Sequence, residues 1–129
     1  MDESIAPLIL DQMADAMIFA TVDGKIAGWN KASSVLFGFD AEEALGESLD
    51  IIIPPHLRNA HWTGFDAAVK ARKLKLNGKP TLTRATHKSG QKLYVEMSFA
   101  LVQSGDQVVG SVAVIRDVTE KIAREKATH

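Results

Sequence analysis

The sequence predicts an α+β domain: one antiparallel sheet with helices gathered on one of its faces. Three observations lead there. Residues 91–102 alternate cleanly, sending Leu93, Val95, Met97, Phe99 and Leu101 to one side and Tyr94, Glu96 and Ser98 to the other. That period of two marks a strand with one covered face. Strand-like runs lie towards both ends of the chain and are joined by Asp23-Gly24 and Ser104-Gly105-Asp106, which are hairpin signals. The helical patterns are grouped between the first two strands and the last three, and helices segregated in this way cover one side of a sheet.

Each element follows from local chemistry. In residues 4–13, Ile5, Leu8, Ile9 and Met13 share a helical face, with Pro7 in the first turn, where its missing N–H is tolerated. A helix this apolar must cover something, either its own sheet or a second subunit, and both remain open. Residues 16–22 (AMIFATV) form the first strand and residues 25–30 (KIAGWN) return after Asp23-Gly24. Residues 31–37 make a short helix stopped by Gly38; Asp40 caps AEEAL, which Gly46 follows. Residues 48–53 add one more helical turn, closed by Pro54-Pro55. Helices this short make a lid rather than a bundle.

A longer helix occupies the stretch 54–72, PPHLRNAHWTGFDAAVKAR. At about 3.6 residues per turn, Leu57, His61, Phe65, Ala68 and Arg72 fall on one stripe, so the His61 imidazole lies in line with core-facing side chains. Residues 76–80 then turn the chain into a β-branched strand, 81–87 (TLTRATH), and Lys88-Ser89-Gly90 turns it again. Residues 107–116 are almost continuously apolar, as expected of a central strand covered on both faces. Thr119 suits an N-cap for a charged helix, EKIAREKATH, that could continue past a domain edge. The expected division is a cap helix over 1–14, the domain proper over 15–118 and the start of a C-terminal helix over 119–129.

Composition removes several classes of function. The 129 residues amount to one ordinary domain, and 15 basic side chains against 16 acidic ones leave a formal charge of −1, which gives no electrostatic reason to expect a nucleic acid. The absence of cysteine excludes disulfides, thiolate metal sites, Cys-linked haem c and a cysteinyl–flavin adduct. No apolar run approaches the roughly 20 residues of a membrane span, and no signal-peptide pattern opens the chain, so a cytoplasmic location is expected. Gly-rich phosphate loops, H-E-x-x-H and G-x-S-x-G are all missing, and Glu42-Glu43 reads as an exposed helix start, so no enzyme is expected.

Nearly the whole chain resembles a PAS domain. The segments that carry the likeness are DGKIAGWNKASSVLFGF, IIPPHLR, HKSGQKLYVEMSFALV and the closing GSVAVIRDVTE. The resemblance implies a five-stranded antiparallel sheet of order 2-1-5-4-3, a ligand cavity between sheet and helices, and coupling of the RDVTE segment to a signalling helix. Within the family, RNAHWTGF is similar to the segment that supplies the proximal histidine in haem-binding PAS sensors of rhizobial oxygen-sensing kinases, including an arginine three residues earlier, here Arg58.

That likeness makes His61 the expected axial ligand of haem b, the metal contact of the site, since a neutral imidazole suits iron. It places Met97 and Phe99 on the gas-binding side. Leu57, Trp62 and Phe65 from the helix, with Leu76, Ala113 and Ile115, complete the expected cofactor contacts. Arg84, His87, Lys79 and Arg72 are candidate partners for the propionates. Thr81 stands where those sensors carry the distal arginine, and Ala67 where they carry another on the proximal helix. His56 follows two prolines and reads as a solvated loop histidine, and His129 is terminal. The implied function is sensing of a diatomic gas (O2, CO or NO) or of redox state by a homodimer. The alternatives are a module for another small apolar molecule, with His61 as hydrogen-bond partner, and a cofactor-free dimerisation module.

Overall fold

The computed structural model describes residues 4–72 and 79–127. Its sheet has five strands: β1 (Ala16–Thr21), β2 (Ile26–Trp29), β3 (Thr81–Thr86), β4 (Lys92–Ser104) and β5 (Gln107–Asp117). They pair in the order β2-β1-β5-β4-β3, every neighbour antiparallel. The helices are α1 (Ile5–Gln12), α2 (Lys31–Phe37), α3 (Ala41–Ala44), α4 (Arg58–Ala71) and α5 (Thr119–Ala127), with 3-10 turns at Leu49–Ile52 and Pro55–Leu57. Fold class, strand order and alternation are those expected.

Register decides which side chains meet. Thr81 stands opposite Met97, Met97 opposite Ile115, and Ile115 opposite Ala16, a row running across four strands. The next row joins Phe99, Ala113 and Ile18. Because strand residues alternate between faces, these rows share the inner face, and α2, α3 and the 3-10 turns close over part of it. Phe37 and Val95 are wholly buried there. The Trp29 and Phe37 rings lie 5.7 Å apart, and the Trp29 indole N–H is shared between Ser34 Oγ and the Phe39 carbonyl, both at 3.0 Å.

The short elements obey the expected punctuation. Gly38 ends α2 in the left-handed conformation (φ 82°) that costs a residue with a Cβ. Asp40 and Glu43 form a reciprocal capping box on α3.

Of the two covers left open for α1, its own sheet is not the one seen in this chain: the helix buries no residue, and Leu8 and Ile9 are about half exposed. Two expectations are corrected. β5 is not covered on both faces. Ser111, Ala113 and Ile115 are buried, while Val112 and Val114 between them are half-buried. A largely apolar run therefore conceals an alternating strand, whose second face is less covered than the first. Finally, Thr119 does not act as a simple N-cap. Its hydroxyl oxygen accepts the Tyr94 backbone N–H at 2.9 Å, the Asp117 carboxylate accepts the Thr119 N–H at 2.9 Å, and the Val118 N–H donates to the Tyr94 carbonyl at 2.9 Å. The start of α5 is thereby pinned to β4.

Candidate ligand cavity

Between the inner face of the sheet and α4 lies a cavity of about 450 Å³, within the ~300–1,000 Å³ usual for small-ligand sites. Ile18 and Ala20 of β1, Met97 and Phe99 of β4, and Ser111 and Ala113 of β5 form its floor, with Thr81, Thr83 and Ala85 of β3 at one side. Leu49, Ile52 and Ile53 wall another side, and Leu57, Ala60, His61 and Phe65 form the roof. Small side chains at Ala20, Ala85 and Ala113 leave the space that larger ones would fill.

The roof follows from helical spacing. The Pro55–Leu57 turn leads directly into α4, and the four-residue interval then sets Leu57, His61 and Phe65 above one another. All three are half-buried, as are Ala68 further along the stripe and Val69 beside it, while Arg72 is exposed. Arg72 ends the helix in the left-handed region (φ 58°), and its carbonyl accepts a hydrogen bond from Gln103 Nε2 at 3.3 Å.

His61 is the chemically distinctive group. Its Nδ1 is buried without a hydrogen-bond partner, an arrangement that costs free energy unless something else supplies one. Burial lowers its pKa from the ordinary 6.5, and the Asp50 carboxylate partly opposes this. The ring is therefore kept neutral, the state in which a nitrogen lone pair is available. It packs edge-on against Trp62 (centroids 4.6 Å apart) and lies 6.0 Å from the Phe65 ring.

The cavity brings together Leu57, His61, Phe65, Thr81, Met97, Phe99 and Ala113 from the expected set. Trp62 and Ile115 are not in its wall. Trp62 turns aside to donate its indole N–H to Asp50 Oδ1 at 2.8 Å, and Ile115 is sealed in the core at 1% exposure. Arg84 borders the cavity, but its register opposite Tyr94, between the inward Thr83 and Ala85, directs its side chain to the outer face. Its Nε is buried and unpartnered there. Leu76 lies outside the described residues, as does His129. His56 and Lys79 are exposed. His87 packs against Gly38 and pairs with Ser89 Oγ at 3.0 Å, away from the cavity.

Sequence reasoning missed Ile18, Ala20, Ala60, Thr83, Ala85 and Ser111. Strand parity carries the signal for the five strand residues, once strand pairing is known, and Ala60 directly precedes His61 on the roof helix. It also missed the wall from Leu49 to Ile53, for which no periodic signal exists in so short a segment. Among the described residues there is no group of three or more His, Asp or Glu side chains that could hold a metal ion.

Comparison with known proteins places this architecture. Among curated relatives, the oxygen sensor protein DosP of Escherichia coli (strain K12) is 25% identical over 130 residues, covering 92% of this chain and 16% of that protein. Two-component system protein A of Emericella nidulans (strain FGSC A4) is 28% identical over 115 residues, covering 88% of this chain and 16% of that protein. The chain thus spans about one sixth of the length of these relatives. Among solved structures, a PAS domain from Colwellia psychrerythraea superposes with a TM-score of 0.79 at 24% identity, covering 91% of this chain and 97% of that one. An RNA-binding Light-Oxygen-Voltage receptor superposes with a TM-score of 0.75 at 23% identity, over 95% of this chain and 35% of that one. A family model for the PAS domain matches residues 14–120, and with the strand order and the roofed cavity this makes the chain a member of the PAS domain family.

Proposed function

We propose that this PAS sensory domain binds haem b in its cavity, with His61 as the axial ligand, and senses a diatomic gas (O2, CO or NO) or the redox state of the iron. The observation that carries the reading is the neutral, half-buried His61 on the cavity roof, whose Nδ1 lacks a partner. The donor set fits a porphyrin-held iron, which takes four ligands from its own ring and needs one protein side chain. The wall is mostly apolar, with Thr81, Thr83, Arg84 and Ser111 as its polar members beside His61, and an apolar wall favours burial of a flat macrocycle. The bound group would supply a gas-binding and redox-active metal. The chain's own residues would orient it and exclude water: His61 from above, Met97 and Phe99 from the facing strand, and Thr81 with a hydroxyl but no positive charge. The relative named as an oxygen sensor adds support.

Signal output in this reading runs along the sheet to the pinned Asp117–Thr119 junction and α5. A homodimer would cover Ile5, Leu8 and Ile9, which one chain leaves exposed. A cytoplasmic location and the absence of catalysis belong to the same reading. The boundaries 1–14, 15–118 and 119–129 would separate cap helix, sensor and output helix.

A second reading, a different small apolar ligand with His61 as its hydrogen-bond partner, is favoured by the apolar lining itself. An absorption titration separates the two. Haem addition is expected to give a Soret band that His61→Ala abolishes. An unchanged band in that variant, or none with the wild type, refutes ligation by His61.

A further inference from the structure

The cavity roof is held by surprisingly little. α4 buries none of its residues completely, so packing alone fixes its height above the sheet weakly. At its far end the Arg72 carbonyl accepts from Gln103 Nε2 of β4. The polar ties of its first half, which carries His61, converge on the short turn that precedes it. The Trp62 indole N–H donates to Asp50 Oδ1 at 2.8 Å. Arg58 donates through Nε to the Ile53 carbonyl at 3.1 Å and through Nη2 to the Asp50 carbonyl at 3.2 Å. Arg58 Nε also stands 3.9 Å from Asp50 Oδ1, an ion pair with both side chains about 40% exposed and so of small consequence.

Asp50 is itself fixed. It lies in the Leu49–Ile52 turn, between cavity-wall residues, and its N–H donates to Ser48 Oγ at 3.1 Å. Ser48 bridges to Lys25 in the β1–β2 hairpin. The same hairpin makes the seat for the Trp62 ring: a Cβ on Gly24 would collide with Trp62 Cη2 and Cζ3. The indole thus occupies the space that a side chain at position 24 would take. The same indole packs nearly perpendicular to both roof aromatics, its centroid 4.6 Å from that of the His61 ring and 5.4 Å from that of the Phe65 ring. Trp62 is therefore a wedge between the hairpin and the two cavity-facing rings, and Asp50 is the acceptor that keeps it from rotating out.

We infer that Asp50 is a positioning residue of the ligand site: by accepting the Trp62 indole N–H over Gly24, it sets the place of His61 on the roof. The inference deepens the ligand-cavity reading and rests on it, but it does not depend on the ligand being haem. The chemistry required at position 50 is a hydrogen-bond acceptor on a short side chain, not a charge.

Three variants of the full chain test this: Asp50→Ala, Asp50→Asn and Trp62→Phe. Without ligand, amide hydrogen exchange compares α4 with β4 and β5. Loss of the acceptor is expected to speed exchange in α4 about tenfold, the low end for a hydrogen bond to a charged acceptor that is partly solvated. The strands should stay at their wild-type rates. Asp50→Asn keeps an oxygen for the indole and should stay within about threefold of wild type. Trp62→Phe, which loses the same bond together with ring packing, should accelerate exchange at least as much as Asp50→Ala, and the double variant should add little to Trp62→Phe alone, because the shared bond is already gone. With haem as the probe, affinity from absorption titration should follow the same order. Unchanged exchange in α4 for Asp50→Ala overturns the inference. So does equal acceleration in the strands, which would mark general destabilisation, or failure of Asp50→Asn to restore the wild-type rate. Should the wild type take up no haem, the haem reading fails alone, and the exchange comparison still decides the role of Asp50.

Discussion

Asn30 offers a sharp test of how the sheet is tied to its first helices. The side chain is 3% exposed. Its Oδ1 accepts the Met17 N–H at 2.9 Å and the Ser33 N–H at 3.0 Å, and its Nδ2 donates to the Leu10 carbonyl at 2.7 Å and the Asp15 carbonyl at 3.1 Å. One amide therefore joins β1, the start of α2 and the end of α1. In Asn30→Ala the Met17 and Ser33 N–H groups lose their acceptor in a buried setting. Each orphaned donor costs roughly 1–3 kcal/mol, so the pair should lower the unfolding free energy by about 3 kcal/mol after partial relaxation. For a domain of this size that corresponds to a melting-temperature drop on the order of 10 °C. Asn30→Asp keeps the acceptor but turns two donors into an oxygen facing two carbonyls, and should also destabilise. Chemical denaturation with unchanged m-value, supported by calorimetry, measures both. A loss below about 1 kcal/mol for Asn30→Ala would mean that water replaces the amide, and the argument would fail.

Other consequences can be checked independently. Because burial lowers the His61 pKa below its ordinary 6.5, the unfolded chain takes up this proton first. Stability should thus be free of any penalty well above pH 6.5 and fall as pH drops through 6.5 towards the folded-state value. His61→Gln should flatten that part of the curve, and equal slopes in both proteins between about pH 8 and pH 5 would refute the burial argument. Ala113→Phe puts a ring into the cavity floor and should reduce haem uptake at least about tenfold while far-ultraviolet circular dichroism stays native; undiminished uptake would place the ligand elsewhere. If α1 seals a homodimer, Leu8→Glu with Ile9→Glu should shift the light-scattering mass from twice the 14.0 kDa chain mass to the chain mass itself, and a wild type already at 14.0 kDa would sink that reading.

The sequence by itself determined the elements and their faces. The alternation from Leu93 to Leu101, the Asp23-Gly24 turn and the stripe through Leu57, His61 and Phe65 are local properties. Backbone geometry repeats every two or every 3.6 residues whatever the rest of the chain does. The tertiary structure alone decided the rest. Trp62 adjoins His61 in sequence yet leaves the cavity for Asp50, because a neighbour on a helix points about 100° away and the nearest acceptor lay on a distant turn. Arg84 faces outward because its pairing with Tyr94 sets its parity, and Ile115 is sealed in the core although Met97 and Thr81 of the same row line the cavity. The apolar run of β5 could not announce its less covered face, since hydrophobicity records a preference for burial and only packing supplies a cover. Which residues surround a space depends on contacts between segments far apart in the chain, and no local period encodes them.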